Sequence, residues 1–123
     1  MQKKQSLLHS FGHAFNGMFH FFLKDRNGEI HLFSALLACA SGIYFGLSEG
    51  EWLAISFCIG LVIALEMVNA AIEQLCNLVH AEYHPIIKKV KDMCAAAVLW
   101  AAIMSAVTGC IIFIPKIIQL TGL

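Results

Sequence analysis

Three long apolar stretches dominate the sequence and limit what it can fold into. Ile30 to Leu47 carries only His31, Ser34 and Ser41 as polar interruptions. Trp52 to about Ile72 is broken only near its end, by Glu66 and Asn69. Met93 to Ile114 runs up to Pro115 and Lys116, which are expected to close it. Each stretch has about 18–22 residues, enough at about 1.5 Å per residue to cross a hydrocarbon core of about 30 Å. Composition points the same way. Hydrophobic residues make up 59% of the chain and charged residues 13%, against roughly half and a quarter in ordinary globular domains. A soluble domain of 123 residues has too much surface for its volume to be covered by so little charge. The expected fold is therefore an all-α integral membrane protein, one domain over residues 1–123, with transmembrane helices at 30–47, 52–73 and 93–114.

Ahead of the first span, residues 6–23 have the pattern of an amphipathic helix. Leu8, Phe11, Phe15, Met18 and Phe22 recur at helical steps, while His9, His13, Asn16, His20 and Lys24 fall on the other side. Such a helix can lie in the membrane interface with its aromatic face down. No secretory leader is expected, because Lys3 and Lys4 precede a mixed segment of His, Phe and Gly. Lys3, Lys4, Lys24 and Arg26 come before the first span, and Lys88, Lys89 and Lys91 lie between the second and third. The turn between the first and second spans has no Lys or Arg, and Lys116 alone follows the third. This asymmetry places the N-terminus and the polar Glu73–Asp92 segment in the cytoplasm and the C-terminus outside. Net charge is zero, and no basic run or basic-aromatic ladder suggests a nucleic-acid surface.

Small residues suggest where helices approach. Gly42 and Gly46 form a G-x-x-x-G pair, and Ala97, Ala101, Ser105 and Gly109 repeat every four residues along the third span. Such faces let backbones come close, although small residues are also common in membrane helices generally. Three helices cannot enclose a large pocket, so a homo-oligomer with a site at a subunit boundary is expected. Cys39, Cys58, Cys76, Cys94 and Cys110 form no C-x-x-C pair and are expected to be small packing residues, not metal ligands or disulfides.

The chemistry concentrates in E66-M-V-N69-A-A-I-E73. Steps of three and four put Glu66, Asn69 and Glu73 on one helix face. Glu66 lies about 10 Å deeper than Glu73. A carboxylate at that depth costs at least about 2 kcal/mol unless it is paired, faces a polar cavity or has a function. Asp92, at the start of the third span, and Asp25 and Glu29, at the start of the first, bring acid to the same rim beside Lys91 and Arg26. Interhelical salt bridges account for such a rim as well as a functional site does. As a site, it suits Mg²⁺, whose shell is completed by water and phosphate oxygens. Metal and lysine together would neutralise a triphosphate, and a deeper carboxylate could take the proton of an alcohol held at the membrane surface. No G-x-x-x-x-G-K-S/T loop and no protein-kinase Gly-rich loop occurs.

E66-M-V-N-A-A-I-E73, followed by E82-Y-H84 and K91-D92-M-C-A-A-A-V-L99, strongly resembles the prokaryotic diacylglycerol kinase family, over about Phe11 to Ile114. The resemblance implies a surface helix and three transmembrane helices assembled as a homotrimer in the bacterial cytoplasmic membrane. It further implies transfer of the γ-phosphoryl group of ATP to a lipid alcohol, undecaprenol or diacylglycerol, with Mg²⁺. By position, Glu66 would be the general base, assisted by Asn69, and Glu73 would hold the metal. Asp25 stands where the family usually has a second metal-binding Glu. Lys91 and Asp92 would contact the nucleotide, Glu82, Tyr83 and His84 would lie near adenine, and His13 is a further nucleotide candidate. Ala70, Asn77 and Glu29 depart from the usual family residues; at Asn77 an Asp is usual, so a charge near the nucleotide is missing. D25-R-N-G-E-I-H31 with E51-W-L-A looks more like the undecaprenol kinases than the enteric diacylglycerol kinases. His80 and His84 are spaced like an i, i+4 metal pair, but Pro85 disfavours regular helix at His84. The alternative from another class is a non-catalytic membrane subunit whose acids pair helices or relay protons.

Overall fold

The computed structural model describes residues 6–122, which form four helices: α1 Leu7–Lys24, α2 Arg26–Phe45, α3 Glu49–Val79 and α4 Pro85–Thr121. Lys3 and Lys4, which contribute to the charge asymmetry, lie outside the described residues. The last three helices are long and apolar enough to cross a membrane, and at most 17% of the residues in any span are buried within the chain. The large side chains left outward, among them Phe33, Leu37, Phe57, Leu61, Trp100 and Ile111, belong to a protein whose surroundings are themselves apolar.

Each helix starts and stops for a local reason. Ser6 caps α1, its hydroxyl accepting from the His9 N–H at 3.3 Å, and Lys24 sits in the last turn, where a cation suits the helix dipole. The polar segment Lys24–Glu29 reduces to a single non-helical residue, Asp25. Its Oδ1 accepts from the N–H groups of Asn27 at 2.9 Å and Gly28 at 3.2 Å, and its own N–H donates to the His20 carbonyl at 3.2 Å, so one residue ends α1 and caps α2. The corner is tight. A Cβ on Gly28 would stand 1.8 Å from the carbonyl oxygen of Phe21, so only glycine lets α1 lie against the first turn of α2. Phe21 is the buried residue of α1. The aromatic face of Phe11, Phe15 and Met18 is exposed, as an interfacial helix requires.

Gly42 and Gly46 act separately and not as a helix-packing pair. Gly46 ends α2 in the left-handed region at φ 68°, and the N–H groups of Gly46 and Leu47 both donate to the Gly42 carbonyl, at 3.0 and 3.2 Å. Gly42 leaves room for the indole of Trp52, whose ring would lie 2.6 Å from an added Cβ. Ser48 and Glu51 then form a reciprocal capping box for α3.

The helix bounds differ from the expected spans: α2 runs Arg26–Phe45 and not 30–47, its last turn ended by the Gly46 cap. At 31 and 37 residues, α3 and α4 are about 46 and 55 Å long and overrun the spans expected at 52–73 and 93–114. The polar Glu73–Asp92 segment is mostly helix, broken only around His80–His84. His84 caps α4, its Nδ1 accepting from the Ile86 N–H at 3.1 Å, with Pro85 at the first helical position. Pro115 does not close α4, which continues to Thr121. Proline removes one backbone hydrogen bond, and such a break is tolerated in membrane helices where neighbouring groups hold the segment. Here Lys116 Nζ reaches Glu51 Oε1 at 3.2 Å and ties this turn of α4 to the start of α3.

The α3–α4 hairpin is the main packing unit; α2 packs on α3, and α1 on α2. Leu47, Ile55 and Ile112 form the buried cluster at the α2–α3 turn end, with Trp52, Ile59 and Phe113 against it. Of the small-residue ladder on α4, Ala101 is buried, Ser105 and Gly109 are half-buried and Ala97 is exposed. The α1–α2 corner and the α3–α4 loop carry most of the expected site residues.

Candidate active site

The buried face of α3 reads Ile55, Val62, Glu66, Asn69, Cys76, steps of three, four and seven that trace one helical stripe. Two polar residues stand in an otherwise apolar row. Glu66 is 5% exposed and Asn69 7%. Glu66 Oε2 lies 4.0 Å from His31 Nε2 on α2, within ion-pair range but too long for a hydrogen bond. Asn69 Oδ1 is buried and has no hydrogen-bond partner. An orphaned acceptor costs about 1–3 kcal/mol, so this carbonyl is poised to receive a donor from a ligand or a neighbouring chain. Glu73, two turns nearer the rim, is exposed in the single chain.

The remaining expected residues, His13 apart, fall into two shallow grooves at the rim. One runs between α1 and α3, with Gly17, His20 and Asp25 on one wall and Met67, Ala70 and Gln74 on the other. The α1–α2 corner thus brings Asp25 to the outward side of the stretch between Glu66 and Glu73. The second groove gathers Glu82, Tyr83, His84, Lys91 and Asp92 around the α3–α4 loop, together with Ile87 and Lys88. In it, Lys91 Nζ donates to Asn77 Oδ1 at 2.7 Å. Asn77 is neutral, so Lys91 keeps its charge uncompensated by this partner. Asp92 pairs with Lys88 one turn earlier, on an exposed face. The rings of His80 and His84 meet edge to face with centroids 5.5 Å apart. His13 is exposed on α1 and lines neither groove.

The donor set suits a metal only in company. Among the described residues no three His, Cys, Asp or Glu side chains converge as a metal cage. One Asp25 oxygen is engaged by the α2 cap, while Glu73 enters no ion pair among the described residues. Two carboxylates at a rim fit an ion that draws most of its shell from phosphate and water, the habit of Mg²⁺.

One residue of this centre escaped the sequence reading. His31 reads as a polar interruption of the first span, yet it is the one His, Asp, Glu, Lys or Arg within Ile30–Leu47. An ionisable side chain at such a place is a functional candidate by default, and that signal was available.

Three spanning helices around a buried carboxylate and an orphaned amide, with cationic and acidic side chains at one rim, define a multi-pass membrane protein with a polar centre inside its bundle. Residues 12–113 match the prokaryotic diacylglycerol kinase family, and the chain belongs to that family of lipid kinases. It is 36% identical to an undecaprenol kinase of Bacillus subtilis over 108 residues, 88% of each chain. It is 35% identical over 122 residues to a diacylglycerol kinase of Synechocystis, covering 97% of this chain and 69% of the relative. A diacylglycerol kinase of Escherichia coli is 42% identical over 52 residues, 42% of this chain and 43% of the relative.

Proposed function

We propose that this chain transfers the γ-phosphoryl group of ATP to the hydroxyl of a membrane lipid alcohol, giving undecaprenyl phosphate or phosphatidic acid. The observation that carries the reading is the buried Glu66 beside the unpartnered Asn69 carbonyl, in a chain of a lipid kinase family. Glu66 accepts the hydroxyl proton as the lipid oxygen forms its bond to the γ-phosphorus and the bond to the β-phosphate oxygen breaks, releasing ADP. Asn69 orients the alcohol or the carboxylate through its buried amide. Lys91 and Asp92 meet the phosphates, while Glu82, Tyr83 and His84 lie towards adenine and His13 is a further nucleotide contact. Glu73 and Asp25 would hold Mg²⁺, which when bound neutralises phosphate charge during transfer.

Placing Glu73 and the α3–α4 loop in the cytoplasm of a bacterium, where ATP is available, follows from the Lys and Arg asymmetry. The site residues are divided among a buried centre and two rim grooves within one chain, which supports assembly as a homotrimer that completes each site at a subunit boundary. Between the two lipids we favour undecaprenol. D25-R-N-G-E-I-H31 with E51-W-L-A resembles the undecaprenol kinases, and the Bacillus subtilis relative of that name aligns over most of both chains.

The test is a side-by-side assay of purified protein with Mg·ATP and either undecaprenol or diacylglycerol in mixed micelles. The expected result is Mg²⁺-dependent phosphorylation, faster with undecaprenol. Phosphorylation of neither lipid would leave the non-catalytic subunit, in which Glu66 and His31 merely join α3 to α2.

A further inference from the structure

His31 lies between two features of the bundle. On one side its Nε2 approaches the Glu66 carboxylate at 4.0 Å, with the side chains 25% and 6% exposed. On the other it borders an apolar cavity shared by three helices, lined by Ser34, Ala38, Val62, Ser105 and Gly109 among others. The start of α2 is held close to His31. It lies three residues beyond Gly28, which the backbone of Phe21 clamps, and six beyond Asp25, which caps the helix. The corner of the fold therefore sets how far the imidazole reaches towards α3.

The separation bears on the role. A purely structural ion pair in a low-dielectric interior gains most when the groups close to hydrogen-bonding distance, near 2.8 Å. At 4.0 Å the imidazole packs against the carboxylate without a hydrogen bond and leaves its lone pairs open to another donor. A proton acceptor has to be held in place and still be able to take a hydrogen bond from its substrate. We propose that His31 is a positioning residue for Glu66, fixing the carboxylate against α2 in the orientation that receives the lipid hydroxyl. This rests on the reading of Glu66 as the base.

The experiment compares wild type, His31→Leu, His31→Gln and Glu66→Gln, each as the purified oligomer in mixed micelles. Steady-state kcat and KM are measured for ATP and for the lipid, with oligomer size and helix content as controls. Leu suits a membrane span, so His31→Leu keeps the fold. It is expected to lower kcat by about tenfold or more while both KM values stay within about twofold. His31→Gln, a polar side chain of similar reach that still packs against the carboxylate, recovers most of that loss. In a Glu66→Gln background, His31→Leu changes the residual rate by less than about twofold, because its effect passes through the carboxylate.

A folded His31→Leu oligomer with wild-type kcat, or a loss confined to the lipid KM, overturns the proposal. So does a tenfold loss that persists in the Glu66→Gln background. If Glu66→Gln alone retains wild-type turnover, the base reading itself has failed, an outcome distinct from any of these.

Discussion

Replacing Gly28 with Ala tests whether the α1–α2 corner is as tight as its geometry implies. The new Cβ would lie 1.8 Å from the Phe21 carbonyl oxygen and 2.6 Å from its carbon. An ordinary carbon–oxygen approach is about 3.3 Å, so the corner has to open by about 1.5 Å. The obstacle is backbone, and no side-chain rotation relieves it. Overpacking of this kind costs about 1–3 kcal/mol. If α1 lifts away instead, the burial of Phe21 is forfeited, a loss of about 1.5–3 kcal/mol in aqueous terms and less beside lipid. The expected total is about 2 kcal/mol, visible as a lower midpoint in SDS-driven unfolding from mixed micelles. Hydrogen exchange localises it: the amides of Asn27 and Gly28, which donate to Asp25 Oδ1, should exchange faster, while those of the α3–α4 hairpin should not. Wild-type stability together with unchanged exchange at the corner would refute the reasoning.

Other consequences follow at both ends of the bundle. Gly42→Ala should displace the Trp52 indole, whose ring stands 2.6 Å from the added carbon; in a Trp100→Phe background the emission of Trp52 should shift, with a smaller stability loss than at Gly28 because a side chain can yield. Glu51, just outside the apolar stretch that begins at Trp52, is held below the ordinary carboxylate range, first by the Ser48 backbone N–H and then, against some desolvation, by the Lys116 and Ser48 side chains. Its stabilisation is therefore complete above the unfolded value of about 4.3 and is lost as pH falls through the lower folded value. Thermal midpoints should drop on acidification below about pH 5, and the Glu51→Gln variant should show less of that drop. Lys91→Met should raise the KM for ATP by about tenfold or more, the scale of a lost hydrogen bond to a charged group, with the lipid KM nearly unchanged; an unaltered ATP KM would remove Lys91 from the nucleotide site.

The bundle was legible because lipid simplifies the pattern. Three stretches long enough to span have few alternatives to helix, and the periodicity of Phe11, Phe15 and Met18 marked α1. What the sequence hid depends on neighbours across the fold. Pro115 looks like a helix end by propensity, but Lys116 anchored on Glu51 carries α4 past it. Gly42 and Gly46 match a packing motif by spacing, yet one accommodates Trp52 and the other adopts a left-handed cap. Within the site, Glu66 and Asn69 shared a face by arithmetic and are both buried. Glu73, one heptad on, is exposed in the single chain although Cys76, further along the same face, is buried. The approach of His31 to Glu66 follows the α1–α2 corner, and that corner depends on the close passage of the Phe21 backbone over Gly28, which no periodicity shows.

The rate of γ-phosphoryl transfer by Glu66→Gln, measured on a folded oligomer, tests the central claim most directly. Gln preserves size and removes the ability to accept a proton, so a base at this position predicts a loss of about a hundredfold or more in kcat. A variant that turns over within a few-fold of wild type would mean that the buried acid joins helices and takes no part in the chemistry.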